Sequence, residues 1–156
     1  MNYIKGYKSF KQGLITNGDI KFEVGVPMHS NGEIKAGPIG GNGFRMCLNF
    51  EDTFRFIENP ILCEVTGYRT ISKEYIDDYN GYYGIYACSD MIVNRIISRE
   101  EIIEMAKSLY EERLIRFIMT YKMTEKETDE LLTINPSKRL IKHIEYYQKG
   151  NTNAFN

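Results

Sequence analysis

The chain has 156 residues, 20 Lys plus Arg against 21 Asp plus Glu, 42% hydrophobic and 26% charged side chains. This describes one ordinary folded domain with room for a small appendage; at this length about 68–70% of the unfolded surface is buried on folding, so neither a structural metal nor disulfides are needed for stability. The balanced charge removes a general attraction to phosphate, and without an apolar run of about 18 residues or a secretory leader in MNYIKGYKSF the chain is expected to be cytoplasmic.

Composition changes near residue 98. Before it lie nearly all the glycines, Pro27, Pro38, Pro60 and short alternating or β-branched runs; after it come stretches of Glu, Lys, Leu, Ile and Met. Strands are predicted over 3–10, 20–26, 33–36, 61–68, 84–88 and 91–97, with NGD and SNGE as turns between the early ones. A short helix is predicted after Asn49, with Glu51 and Asp52 at its positive end and Asn59-Pro60 as its stop.

In the second part, Ser98 and Glu101 have the spacing of a capping box. Ile103, Ala106, Tyr110, Leu114, Phe117 and Tyr121 then recur at helical spacing, which predicts one helix about 33 Å long with a buried stripe. Thr124 and Glu127 form a second box for a short helix ending near Thr133, and Asn135-Pro136 is read as the cap of a third helix running to Gly150. The fold class is therefore α+β: a β-rich N-terminal sheet with a short helix over residues 1–98, a helical extension of about three helices packed on it over 99–150, and a frayed tail, 151–156. The long helix also offers a surface for a symmetric dimer.

Cys47, Cys63 and Cys88 are odd in number and fit neither a disulfide framework nor a zinc pattern. Cys63 alternates with Ile61 and Val65 and is expected in the core. No metal and no cofactor are expected. The glycine-dense loop 36–44 has no Gly-Lys-Ser/Thr ending and no dinucleotide pattern, so it reads as a surface loop between two strands, with Arg45 as its nearest cation.

Tyr75, Tyr79, Tyr82, Tyr83 and Tyr86 cluster among Asp77, Asp78, Asn80, Gly81 and Gly84. Tyrosine joins a large apolar face to a polar tip, which suits protein interfaces, while the aspartates oppose phosphate; Tyr75, Asp77, Asp78, Tyr79, Tyr82, Tyr83 and Arg45 are the candidate partner-binding residues. Lys138, Arg139 and Lys142 on the last helix form a weaker nucleic-acid candidate, since a solvated basic face opposite Leu140, Ile141 and Ile144 explains the same pattern. His29 and His143 are far apart in sequence and stand in no nucleophile motif, and Glu100-Glu101 and Glu111-Glu112 read as helix-surface charge, so no catalytic residue is assigned.

KGYKSF at the start, KFEVG at 21–25, GFRMCLNFEDTFRF at 43–56, CEVTG at 63–67 and ACSDMIVNRIISREEII at 87–103 follow one another in an order that resembles an uncharacterised domain family of phages, prophages and gut bacteria. The resemblance covers about the first hundred residues and departs from the family pattern at Arg45, where the family usually has histidine, and in the longer loop before it. It implies a small phage or mobile-element accessory protein acting inside a bacterial host cell. The expected function is noncatalytic binding of a protein partner, such as inhibition of a CRISPR-type or other host defence nuclease. An ADP-ribosyltransferase-like enzyme, with Glu64 or Glu101 as its acid, and a DNA-binding regulator acting through the last helices are the alternatives.

Overall fold

β1 (Tyr3–Phe10) has two unlike faces: Gly6 and Phe10 are buried while Tyr3 and Lys5 are exposed, the alternation that a sheet covering a core imposes. The computed structural model describes residues 2–37, 41–78 and 81–150, without the side chains at 76–78, 81–83, 149 and 150. The chain divides into two compact units, Met1–Ile97 and Ser98–Asn156. The fold is α+β, a five-stranded antiparallel sheet followed by helices.

β1 pairs with β4 (Ile61–Asp78), from Tyr3 opposite Tyr68 to Phe10 opposite Ile61. β4 pairs on its other edge with β5 (Gly81–Ile96). β5 in turn takes β2 (Met28–His29) at Asp90 and Met91, and β3 (Phe44–Met46) along residues 86–88. Immediately after β3 the chain returns to β1. The Tyr7 amide donates to the Cys47 carbonyl at 2.8 Å and the Cys47 amide to the Tyr7 carbonyl at 2.9 Å, so β1, β4, β5 and β3 form a ring closed at one residue pair.

Inside the ring lie Phe10, Phe44, Met46, Cys63, Val65, Cys88, Met91 and Val93. Phe22, from the segment after β1, completes this core, with its ring centroid 5.1 Å from that of Phe10 and 5.0 Å from that of Phe44. Two glycines let the walls approach. A Cβ on Gly6 would stand 2.5 Å from the Cys47 carbonyl oxygen, and one on Gly67 2.2 Å from the Cys88 sulfur. The three cysteines are buried and free, and Cys63 lies in the core as expected from its alternation.

β4 shifts register between Tyr68 and Ile71, where Arg69 adopts a left-handed φ of 72°. Such a bulge bends the strand. Beyond it β4 and β5 continue together as a hairpin that outruns its neighbours. From Glu74/Ile85 to Asp78/Gly81 the two strands pair only with each other among the described residues, a ribbon about 17 Å long at the usual rise per residue.

Several predicted elements take another form. Residues 20–26 are no strand: Val24 makes one parallel bridge to Val93, Gly25 turns at φ 80°, and Ile20, Val24 and Val26 are exposed, leaving Phe22 as the single anchor. Among the described residues, 33–36 make only the Ile34–Asn42 bridge, because Gly32, Gly41 and Gly43, all at positive φ, turn the chain at both ends. The predicted 84–88 and 91–97 strands are one, β5, and the predicted 61–68 strand runs on to Asp78. The short helix exists as a 3-10 helix, Phe50–Phe56, but Asn49 makes no side-chain cap bond to it.

In the second unit Ser98 caps α1 (Arg99–Lys107) by accepting the Glu101 amide. The predicted long helix is two: Ser108 ends α1, the chain extends at Tyr110, and α2 (Glu111–Thr120) begins with two acids at its positive end. The apolar repeat stays in phase across the break, which is why spacing does not reveal it; Tyr110, placed on the buried stripe by that spacing, is 65% exposed. Thr124 and Glu127 form a reciprocal capping box for α3 (Glu125–Leu131). α4 (Lys138–Ile144) is capped by Ser137, with Asn135 in a left-handed turn before it, and continues as π-type turns over Glu145–Gly150. Gln148 joins these turns to the end of α2. Its side-chain nitrogen donates to the Ile118 and Tyr121 carbonyls at 2.6 and 2.8 Å, and its oxygen accepts the Met123 amide at 2.8 Å. The tail 151–156 lies outside the described residues.

Gly67→Ala is expected to destabilise the first unit by about 1–3 kcal/mol through overpacking against Cys88, whereas Gly18→Ala, with nothing nearer than 3.8 Å, is expected to be near neutral; denaturant melts of the two variants measure the difference. Gln148→Ala, which leaves the Ile118 and Tyr121 carbonyls and the Met123 amide without this partner, is expected to cost about 1–3 kcal/mol in the same assay.

Candidate functional site

The tyrosine-rich segment lies on the β4–β5 ribbon. Tyr75 is opposite Gly84, and the backbone pairing continues through Ile76/Tyr83 and Asp77/Tyr82 to Asp78/Gly81. Tyr79 lies outside the described residues. At the base of the ribbon the side chains are defined. Lys73 places its ammonium 4.3 Å from the Tyr75 ring centroid and 5.4 Å from that of Tyr86, while Tyr75 covers Gly84 at 3.5 Å from the position a Cβ would take. Cation–π contact and an aromatic ring laid across a glycine stabilise the base of the ribbon where β3 ends. Tyr75 nonetheless remains 48% exposed.

Polar residues hold the bulge from which the ribbon departs. Asp90, 4% exposed, accepts the Ser89 hydroxyl at 2.7 Å, faces the His29 ring at 3.0 Å and pairs with Arg69 at 3.5 Å. The Ser89 oxygen accepts the Thr70 amide at 3.0 Å. Serine, histidine and aspartate therefore meet, but the serine and the histidine both bond to the carboxylate and the other histidine nitrogen faces Asn31 at 2.9 Å. No imidazole stands ready to take the serine proton, as nucleophilic catalysis requires, so the cluster is a brace. Burial pushes the Asp90 carboxyl up, but the hydrogen bonds from Ser89 and His29 and the Arg69 charge prevail and hold it below the usual aspartate range.

A cleft of about 280 Å³ opens beside the Tyr7–Cys47 closure, where β1 and β3 separate. Lys8 lies on its wall, on the same face of β1 as Gly6 and Phe10 and opposite Cys63. The Lys8 ammonium donates to the Arg45 carbonyl at 2.7 Å. Burial pushes it down to about 8; Cys47 pulls the other way, Arg45 adds to the fall and Cys88 opposes it. Sequence reasoning missed this residue although a signal was present: Ile4, Gly6, Lys8 and Phe10 share one phase of the strand, and only one of them carries charge. Burial raises the Cys47 and Cys63 thiols to about 12 and Cys88 to about 11, so none is a thiolate near neutral pH.

The remaining sequence candidates are dispersed. Arg45 donates to the Gly37 carbonyl at 2.9 Å, at the base of the glycine loop, whose residues 38–40 lie outside the described residues. Lys138 and Lys142 are exposed, and Arg139 pairs with Glu112 at 2.7 Å and Glu111 at 3.5 Å, so carboxylates from α2 already engage one of the three cations. Glu64 is held by Arg95 in a two-bonded pair at 2.8 and 3.0 Å, and neither it nor Glu101 lines the cleft. Among the described residues no three metal-ligating side chains converge, and no helix is long and apolar enough to cross a membrane.

Comparison with known protein families, curated proteins and solved structures finds no match, so the resemblance of the first hundred residues rests on its motifs alone.

Asp90→Asn is expected to lower the melting temperature at neutral pH. A carboxyl held below its unfolded value contributes stability that is complete above the ordinary aspartate pKa of about 3.9 and fades as pH falls through the lower folded value, so the melting curves of the variant and the parent converge only in stronger acid.

Proposed function

We propose that the chain is a noncatalytic binding protein that presents the β4–β5 ribbon to a protein partner. The observation that carries this reading is the length of the ribbon beyond its neighbours: from Glu74 to Asp78 and from Gly81 to Ile85 two strands extend with no third strand to share their backbone groups among the described residues, while Ile85 at the base packs back onto Ala36, Cys47 and Ala87. A free two-stranded hairpin is marginal in water, and its outer edges carry unpaired amides and carbonyls suited to another chain. The sequence of this stretch supplies tyrosines, which bury large area at small entropic cost, with Glu74, Asp77 and Asp78 beside them. Those acids favour a basic protein surface and disfavour the phosphate backbone that a DNA-reading ribbon meets.

A narrower form of the proposal, inhibition of a host defence nuclease, rests on the resemblance to phage and prophage proteins. In that form the ribbon covers a basic substrate channel, and turnover of the nuclease falls in proportion to occupancy.

Affinity capture from the native host tests the proposal. One partner is expected in stoichiometric amount, and joint replacement Asp77→Lys and Asp78→Lys, or Tyr82→Ala and Tyr83→Ala, is expected to weaken capture at least about ten-fold with the melting temperature unchanged. Capture that is indifferent to both pairs of replacements, or recovery of nucleic acid alone with a steep loss in salt, rejects the ribbon as the binding surface.

A further inference from the structure

The cleft beside the ring closure has chemistry of its own, independent of the ribbon. Tyr7 and Cys47 exchange both backbone hydrogen bonds, and beyond them the next facing residues, Ser9 on β1 and Arg45 on β3, are separated by open space. In an antiparallel ladder the amide and carbonyl of alternate residues point to the same edge, so those of Ser9 and Arg45 face this opening as those of Tyr7 and Cys47 face each other. The Arg45 carbonyl is taken by Lys8, at 2.7 Å. No carboxylate lines the cleft, and no carboxylate among the described residues lies within ion-pair distance of Lys8. The other walls include Phe44, Phe56 and Ile57.

A half-buried ammonium without a counter-ion is unfavourable, and its cost is relieved when an anion enters beside it. We propose that the cleft binds a small carboxylate with an apolar body, its headgroup against the Lys8 ammonium and the backbone amide of Ser9 and its body between Phe44, Phe56 and Ile57. At about 30 Å³ per water-sized group the volume accommodates roughly nine non-hydrogen atoms, the size of a six-carbon acid. Apolar walls alone hold a neutral chain as well as an anion; the unpaired cation is what selects.

Hexanoate, with hexanamide as its neutral isostere, is the probe. Titration followed by amide NMR is expected to shift residues 8, 9, 44 and 45, and hexanoate is expected to bind at least about ten-fold more tightly than hexanamide. Affinity is expected to fall as pH rises above about 8, where Lys8 loses its proton; of the groups that face it, the Arg45 guanidinium lowers its pKa, and the Cys47 and Cys88 thiols titrate later. Lys8→Met removes the buried charge while keeping an apolar chain of similar length, so the variant is expected to melt no lower than the parent and to lose the preference for hexanoate over hexanamide. Equal binding of the two probes by the parent, a preference that survives in Lys8→Met, or no shift in the cleft residues at millimolar hexanoate overturns the proposal.

Discussion

One antiparallel residue pair, Tyr7 with Cys47, converts an open sheet into a ring, and the rest of the first unit follows from that closure. An open sheet of this length buries one face against some other layer; a ring buries its own interior. The strands must then approach one another across a narrow core, which explains why Gly6 and Gly67 stand where any side chain meets Cys47, Met46 or Cys88. Phe22 packs inside the ring between Phe10 and Phe44, edge to face against the latter.

The closure is short because β3 is short, and two features trace to its length. On one side β1 and β3 part after a single bridge, leaving the Lys8 cleft. On the other, β3 covers β5 only along residues 86–88, so the remainder of the β4–β5 hairpin runs on uncovered. The Asp90 brace lies at the transition. Arg69 takes a backbone conformation that costs a non-glycine residue of order 1–3 kcal/mol, and Ser89, Asp90 and Thr70 satisfy the polar groups that the bulge exposes.

Where local chemistry decides an element, the sequence is a reliable guide. The alternation of β1, the caps at Ser98 and Thr124 and the burial of Cys63 all depend on residues adjacent in the chain. Elements decided by distant partners are not legible in this way. FRM is a strand because residues 86–88 lie beside it, whereas the equally strand-like KFEVGV makes two isolated bridges, Lys21 to Ile15 and Val24 to Val93, and remains irregular. The apolar pattern of β5 is interrupted at Ser89 and Asp90, and that interruption reads as a turn until the bulge opposite supplies their partners. The tyrosine cluster is legible as composition, but that it occupies a ribbon depends on how far β3 reaches. Lys8 was legible in principle, as a charge in the buried phase of a strand, and shows that one discordant residue can say more about a site than a conspicuous cluster.

The hairpin assigns its labour by distance. Its lower half, Cys63 to Gly67 with Met91 to Ile96, is fixed by the packing of the ring and tolerates little change. Above Tyr75 and Gly84 its backbone takes no third strand among the described residues. Changes in the tip sequence therefore disturb the packed ring less than changes at its base, so surface chemistry and foldedness can vary separately along one hairpin.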